Sequence, residues 1–308
     1  MTPDTRLHRV FPLMGRLPGT LPWRLAGFMG DTPLRQRREL HAWLAALFAG
    51  VFPDASSREC QQWARAHTAL LAQEKVDAMA FSRLGRFGGP QADICGMELV
   101  RKHAAAGHGL ILVLNHYDRP FAAPVFLARG GIKSHVLTMP VRNNAELSAA
   151  HCQFLLRKLQ NYTSQTGGLW HTTDQSMRPL YESLRAGQVW VILADAWRPE
   201  FKRNRLFPFL GGQLFLPTGI ERLARALRVP LLHVSTYSDK PHRLRVLVRE
   251  LPADPAQAID LVIHQLEHDV RQRPWAWLQW GLWHLMWQAS DQVLNQQEQE
   301  QEQEIDKH

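Results

Sequence analysis

His116 and Asp118 follow directly on a run of five aliphatic residues, Leu110-Ile111-Leu112-Val113-Leu114, and Asn115 completes the polar cluster. Imidazole titrates near neutrality, so it can take a proton from a reacting group and return it. A carboxylate beside it would hold the ring and stabilise its charged form. A histidine carried from a strand end toward a helix start lies in the crevice where open α/β sheets bind ligands. The residues alone leave an equal alternative, a strand-end histidine bonded to backbone. A second carboxylate, Asp195, closes another apolar run, Gln188 to Ala194. It reads either as part of the same site or as a strand-end residue capping a loop. Arg198, Lys202, Arg203 and Arg205 come next, suited to an anionic partner or to a solvated charged face in equal measure.

These residues need a framework to bring them together, and the hydrophobic pattern supplies one. The aliphatic run after Gly109 predicts a strand buried on both faces, and Pro120 suits the first turn of a helix running to Ala128. Further strands are predicted at 134–139, 167–171 and 188–194, with a pair at 229–236 and 243–249 around a turn at 238–241. Helices are predicted over 146–160, 174–185 with Gly187 as its C-cap, 218–227 capped by Thr218, and 256–270. Residues 1–90 read as helical, including a long helix from Arg58 to about Ala80 behind the N-cap signal at Ser56-Ser57. The expected fold is therefore α/β. A helical N-terminal region (1–90) packs on a single domain (91–290) whose mostly parallel central sheet is flanked by helices. The Gln/Glu-rich tail, 291–308, is expected to be disordered.

Composition narrows the partners. Net charge is +8, but the tail holds six acids and one lysine, a net of −5, so the body carries +13. Such a body attracts nucleic acid, an acidic membrane face or an acidic carrier, and the absence of any nucleic-acid-binding motif ranks the first of these last. Cys60, Cys95 and Cys152 are odd in number and widely spaced, which fits small core residues in a reducing compartment. The N-terminus has no apolar run of a signal peptide, and no stretch reaches the roughly 18 apolar residues of a membrane span. A soluble protein, or one lying on a membrane, is expected. Gly211-Gly212 does not form a dinucleotide fingerprint, having the wrong spacing and no preceding strand in this reading. His264 and His268 lack a third ligand and read as surface residues, so no metal is expected.

The ordered series of segments resembles the late acyltransferases of lipid A biosynthesis, the lauroyl and myristoyl transferases, over about residues 20–285. The likeness is carried by Phe52-Pro53, the strand ending in His116, Met139-Pro-Val-Arg-Asn-Asn144, and above all Leu184-Arg-Ala-Gly-Gln-Val-Trp-Val-Ile-Leu-Ala-Asp195. Leu206-Phe-Pro-Phe-Leu-Gly211, Pro217-Thr-Gly219, Leu223-Ala-Arg225 and Arg273-Pro-Trp-Ala-Trp277 follow in order. The resemblance implies a glycerolipid-acyltransferase-like fold and an O-acyltransferase without a cofactor. The enzyme would move a fatty acyl chain from acyl carrier protein or acyl-CoA to a hydroxyl or amine of a lipid-like or other polar acceptor. His116 would be the general base, Asp118 its partner, and Arg119, Arg142, Asp195, Arg203 and Arg205 the substrate-binding residues. Phe121, Phe207, Phe209 and the late tryptophans are available to line an acyl channel, or to pack as core. The implied place is the cytoplasm or the cytoplasmic face of an anionic inner membrane. The chain departs from the family motif where an acid is expected five residues after the histidine: that position is Phe121. It also lacks the family's membrane-anchoring N-terminal helix and carries Gln279-Trp280-Gly281-Leu282-Trp283-His284 in place of basic residues after the Trp segment. A divergent soluble member is the reading that follows. Its alternative is a catalytically inactive relative that binds acyl chains or acyl carrier protein.

Overall fold

The computed structural model describes residues 6–31, 35–142, 144 and 147–289. The tail expected to be disordered, 291–308, lies outside the described residues. Two short turns, Arg6–Val10 and Phe11–Met14, lead into three helices: α1 (Leu21–Asp31), α2 (Arg35–Val51) and α3 (Ser57–Ala80). The start of α3 follows from its sequence. The Ser56 hydroxyl accepts from the Glu59 N–H while the Glu59 carboxylate accepts from the Ser56 N–H, a reciprocal capping box.

The body then alternates strand and helix: β1 (Gln91–Cys95), α4 (Met97–Ala105), β2 (Leu110–Leu114), α5 (Ala122–Arg129), β3 (Ser134–Thr138), α6 (Ala149–Thr166), β4 (Gly167–Thr172), α7 (Arg178–Arg185) and β5 (Val189–Leu193). A hairpin, β6 (Asn204–Phe209) and β7 (Gly212–Pro217), precedes α8 (Gly219–Leu227). The chain continues through β8 (Leu231–Lys240), β9 (Arg243–Glu250), α9 (Pro255–Gln272) and the short β10 (Trp287–Ala289). Seven strands form one sheet in the order β1-β9-β8-β2-β5-β3-β4. All its pairs are parallel except the β8–β9 hairpin. The α/β class with a mostly parallel central sheet is thus as the sequence predicts. Helices and crossovers cover both faces, so β2 and β5 are buried at every residue.

The sequence reading differs from the structure at several places: β1, α4 and β10 are not assigned, Pro120 precedes α5 rather than opening it, and two further differences lie near the cavity. It assigns no strand before Gly211-Gly212, yet β6 runs directly up to them, and Leu210-Gly211 is the turn of an antiparallel hairpin that also pairs with β10. The two-phenylalanine segment Phe207-Pro-Phe209 is interrupted by proline, which hides the strand pattern. The helix beginning after Thr218 forms, but the Thr218 hydroxyl does not cap it; it donates to the Arg203 carbonyl.

The helical N-terminal region is joined to the body by buried polar contacts as well as by packing. Asp77 of α3 accepts from the Trp23 indole N–H at 2.7 Å and from Arg119 Nε at 2.5 Å, and it pairs again with Arg119 Nη2. Arg119 also donates to the Pro241 carbonyl. Both charges are out of water, with Arg119 only 1% exposed. Burial pushes the Asp77 carboxyl up from its ordinary value, against the opposing pull of Arg119. A charge left alone in such a place is costly. Asp77→Ala should therefore lower unfolding stability by about 3–5 kcal/mol, measured by urea denaturation, while the double variant Asp77→Leu/Arg119→Met should recover much of the loss.

Candidate active site

The site grows out of the sheet's register. Strands β2 and β5 are parallel neighbours with Leu114 opposite Leu193, and the Ala194 N–H continues the ladder to the Leu114 carbonyl at 2.7 Å. Two residues past each register point stand His116 and Asp195, which the sheet therefore sets side by side. Gly109 at the start of β2 has φ +77°, and a Cβ there would meet the Leu184 carbonyl at 2.3 Å, so the strand can enter the sheet only through glycine.

Asp195 is fully buried and receives N–H donors from several directions. The His116 backbone N–H approaches its two oxygens at 2.8 and 2.9 Å, the Trp277 indole N–H donates to Oδ2 at 2.9 Å, and His116 Nδ1 lies 2.9 Å from Oδ1. Gln279 Nε2 sits 2.8 Å from the same ring nitrogen and donates to the Asp195 backbone carbonyl at 3.2 Å. One ring nitrogen makes one strong hydrogen bond. An ionised carboxylate can only accept, so its contact needs a hydrogen on Nδ1, whereas donation from the Gln279 amide would need that nitrogen bare. The charge-assisted bond is about twice as strong and decides it. The proton therefore sits on Nδ1 and faces Asp195, which leaves Nε2 for a substrate.

His116 lines a cavity of about 830 Å³. Apolar side chains make most of its wall, among them Leu137, Met139, Val141, Leu155, Ile192 and Leu223. Glu74 and Lys158, an ion pair, and Phe121, over whose ring Lys158 lies at 4.3 Å, also face it. The volume is that of a site for a small organic ligand or an alkyl chain.

The loop that carries His116 is tied down on every side by the segment 273–279. The His116 carbonyl accepts from the Leu278 N–H and the Asp118 N–H donates to the Ala276 carbonyl, both at 2.7 Å, with Tyr117 bridged to Trp277 between them. His67 of α3 in turn holds this segment through Nδ1 and the Trp275 carbonyl at 2.9 Å. Burial lowers the His67 pKa to about 4, so the ring is neutral and Nδ1–H donates.

Several residues expected at the site are elsewhere. Asp118 does not reach the imidazole: its backbone is left-handed (φ 57°), and its carboxylate accepts from the Ser238 N–H (2.8 Å) and hydroxyl (2.5 Å) and pairs with Arg273 at 3.1 Å. The turn rotates it away from the ring, and Asp195 holds the place the sequence reading gave it. Arg119 points into the core toward Asp77. Arg142 is exposed and is not among the cavity-lining residues, and Arg205 is paired with Glu221 and Asp260 and stacked on Phe207. Arg203 does line the cavity. Phe207, Phe209, Trp277, Trp280 and Trp283 pack as core behind the loop, with Trp277 and Trp280 rings 5.0 Å apart edge to face, and only Phe121 of the proposed channel aromatics faces the cavity. His264 and His268 are both exposed, and of the cysteines Cys60 is buried while Cys95 is exposed. The contributions of Trp277 and Gln279 to the histidine's surroundings were not assigned from sequence. Their only signal was position: Trp277 closes the last segment that carries the family resemblance, and Gln279 opens the one where the chain departs from it.

Two comparisons with known proteins bear on this arrangement. A family model described as bacterial lipid A biosynthesis acyltransferase matches residues 23–283, a span containing His116, Asp195, Trp277 and Gln279. No curated protein matches the chain significantly.

The brace at His67 has a consequence for stability. Its folded-state pKa lies below the unfolded value of 6.5, so as pH falls through 6.5 the unfolded chain takes up a proton that the folded protein refuses until about pH 4. Stability therefore decreases across that window, by about 2 kcal/mol from this group between pH 7 and pH 5. Urea unfolding at the two pH values should show that much less pH dependence in His67→Gln than in the wild type.

Proposed function

The chain belongs to the bacterial lipid A biosynthesis acyltransferase family, and from that premise we propose that it transfers a fatty acyl group from a thioester donor to a hydroxyl of a lipid-like acceptor, with His116 as general base. An amine acceptor would follow the same chemistry. The donor in this reading is acyl carrier protein or coenzyme A charged with the acyl chain. What supports it above all is the contact between Asp195 and His116 Nδ1, which leaves Nε2 basic beside an apolar cavity.

A neutral hydroxyl attacks a thioester slowly at pH 7. As the acceptor oxygen bonds to the thioester carbonyl carbon, Nε2 takes the hydroxyl proton, and Asp195 stabilises the imidazolium so formed. The tetrahedral intermediate collapses by breaking the carbon–sulfur bond, and His116 returns the proton to the departing thiolate. The products are an ester and a free thiol, and no covalent acyl-enzyme is required. The developing oxyanion is assigned to the backbone N–H of Phe121, which precedes α5 and lines the cavity. Arg119, tied to Asp77, is not available for that role.

The rival reading, a binder without activity, drew its force from Phe121 standing where the family places its acid. Asp195 offers the imidazole a carboxylate from the neighbouring strand instead, and this favours the catalytic reading. Among the described residues no helix is long and apolar enough to cross a membrane. We place the protein in the cytoplasm or against a membrane's cytoplasmic face, where both carrier protein and lipid acceptor are within reach.

His116→Ala should lower the rate of acyl transfer, or of thioester hydrolysis in the absence of acceptor, by about 10²–10⁴-fold. Asp195→Asn should also lower kcat strongly, whereas Asp118→Asn should act mainly on stability. The assay uses acyl carrier protein and CoA donors in parallel and confirms folding by circular dichroism. Wild-type rates in His116→Ala would overturn the proposal.

A further inference from the structure

Two ion pairs tie α3 to the body, and they differ in how much of their bonding capacity is used. In the Asp77–Arg119 pair every nitrogen and oxygen is engaged. Asp77 accepts from Trp23 as well as from two Arg119 nitrogens, and the third Arg119 nitrogen donates to the Pro241 carbonyl. The second pair, Glu74 of α3 with Lys158 of α6, makes a single hydrogen bond, from Nζ to Oε1. Glu74 Oε2 has no hydrogen-bond partner among the described residues, and Nζ carries three hydrogens but gives only one to an oxygen. Lys158 is steadied instead by the face of the Phe121 ring, 4.3 Å from Nζ. The Glu74 and Lys158 side chains are 13% and 11% exposed, against 2% and 0% for Asp77 and Arg119, and both line the cavity that holds His116.

The surrounding wall is hydrocarbon. Leu155 and Leu159, on either side of Lys158 along α6, line the same cavity. An alkyl chain lying against this wall would strip water from Oε2 and Nζ and return nothing, which costs as much as leaving polar groups buried and unpaired. The pair therefore calls for a polar atom on whatever fills the cavity, and its own chemistry restricts that atom. The pair is neutral overall, so a charged group drawn to one member is repelled by the other. A carbonyl would accept from Nζ and leave Oε2 bare, and a secondary amide points its donor and its acceptor in opposite directions. A hydroxyl donates and accepts at one oxygen, and that oxygen can meet both Oε2 and Nζ, since the two groups are already joined through Oε1.

We infer that Glu74 and Lys158 recognise a hydroxyl group on the acyl chain, which makes the protein selective for hydroxylated acyl donors. This rests on the acyl-transfer reading above and adds to it the class of chain transferred. The hydroxyl is assigned to the chain because the pair is set into the apolar wall against which a chain would lie.

Dodecanoyl-pantetheine is to be compared with hydroxydodecanoyl-pantetheines bearing the hydroxyl near the thioester, midway along the chain or at its far end. Thioester hydrolysis without acceptor is the readout, so that no acceptor hydroxyl takes part. In the wild type one hydroxylated donor should exceed the plain chain in kcat/KM by about 10–100-fold, as expected of hydrogen bonds to charged partners. In Glu74→Leu/Lys158→Met that ratio should fall to about one or below. Apolar side chains of similar volume commonly replace a buried pair without loss of stability, and circular dichroism checks the fold. Glu74→Gln, which keeps an acceptor oxygen but not the charge, should lose part of the preference. No preference at any of the positions in the wild type, or one that survives unchanged in the double variant, overturns the inference. Equilibrium binding of thioether analogues, with and without the hydroxyl, gives the same comparison without turnover. Hydroxyl-dependent binding in a protein that neither transfers nor hydrolyses acyl groups would sink the catalytic proposal and leave this one standing; turnover indifferent to the hydroxyl would do the reverse.

Discussion

Everything at the site depends on a carboxylate with no water around it. Asp195 is buried at the end of β5, and an ion there is tolerable only if N–H groups surround it. The backbone of His116, the Trp277 indole and the imidazole itself provide them. This requirement accounts for the geometry nearby: the loop after β2 must turn so that both its main chain and its ring face one acid. The parallel β2–β5 pairing makes that possible by placing the two strand ends together.

The surrounding packing keeps that arrangement from relaxing. The segment 276–278 is hydrogen bonded to the loop at both His116 and Asp118. Behind it the Trp277, Trp280 and Trp283 rings pack against Phe209 and Phe48. Aromatic contacts of this kind have fixed geometries and little slack, so they hold a backbone in register better than aliphatic packing of the same area. The other side chains of the loop are anchored outward: Asp118 to Ser238 and Arg273, Arg119 to Asp77. A loop so restrained can present one ring nitrogen to a cavity with little reorganisation.

Much of the fold was legible in the sequence because buried parallel strands are continuous aliphatic runs and their helices begin and end at capping residues. The strands around His116 and before Asp195 are cases where period and composition agree. The β6–β7 hairpin was hidden by Pro208. The candidate base was readable from its place after a strand, and its acid was not. Proximity along the chain favoured Asp118, two residues away, over Asp195, which is distant in sequence. Choosing between them needs the knowledge that β2 and β5 are neighbours and that residue 118 has a positive φ, and neither is written in a local pattern. The same limit explains Arg119, whose partner lies on a helix far upstream. It also explains the tryptophans, which composition offers equally to a channel and to a core.

The central claim is that the negative charge of Asp195 fixes the protonation of His116, with the proton on Nδ1 and a basic Nε2. Nitrogen-15 chemical shifts of the histidine ring, assigned by comparison with His116→Ala, report this directly. The account predicts that the neutral ring carries its hydrogen on Nδ1, shifted far downfield by the carboxylate, with Nε2 bare, and that this pattern is lost in Asp195→Asn. A ring protonated on Nε2 in the wild type, or a pattern indifferent to Asp195, would contradict it.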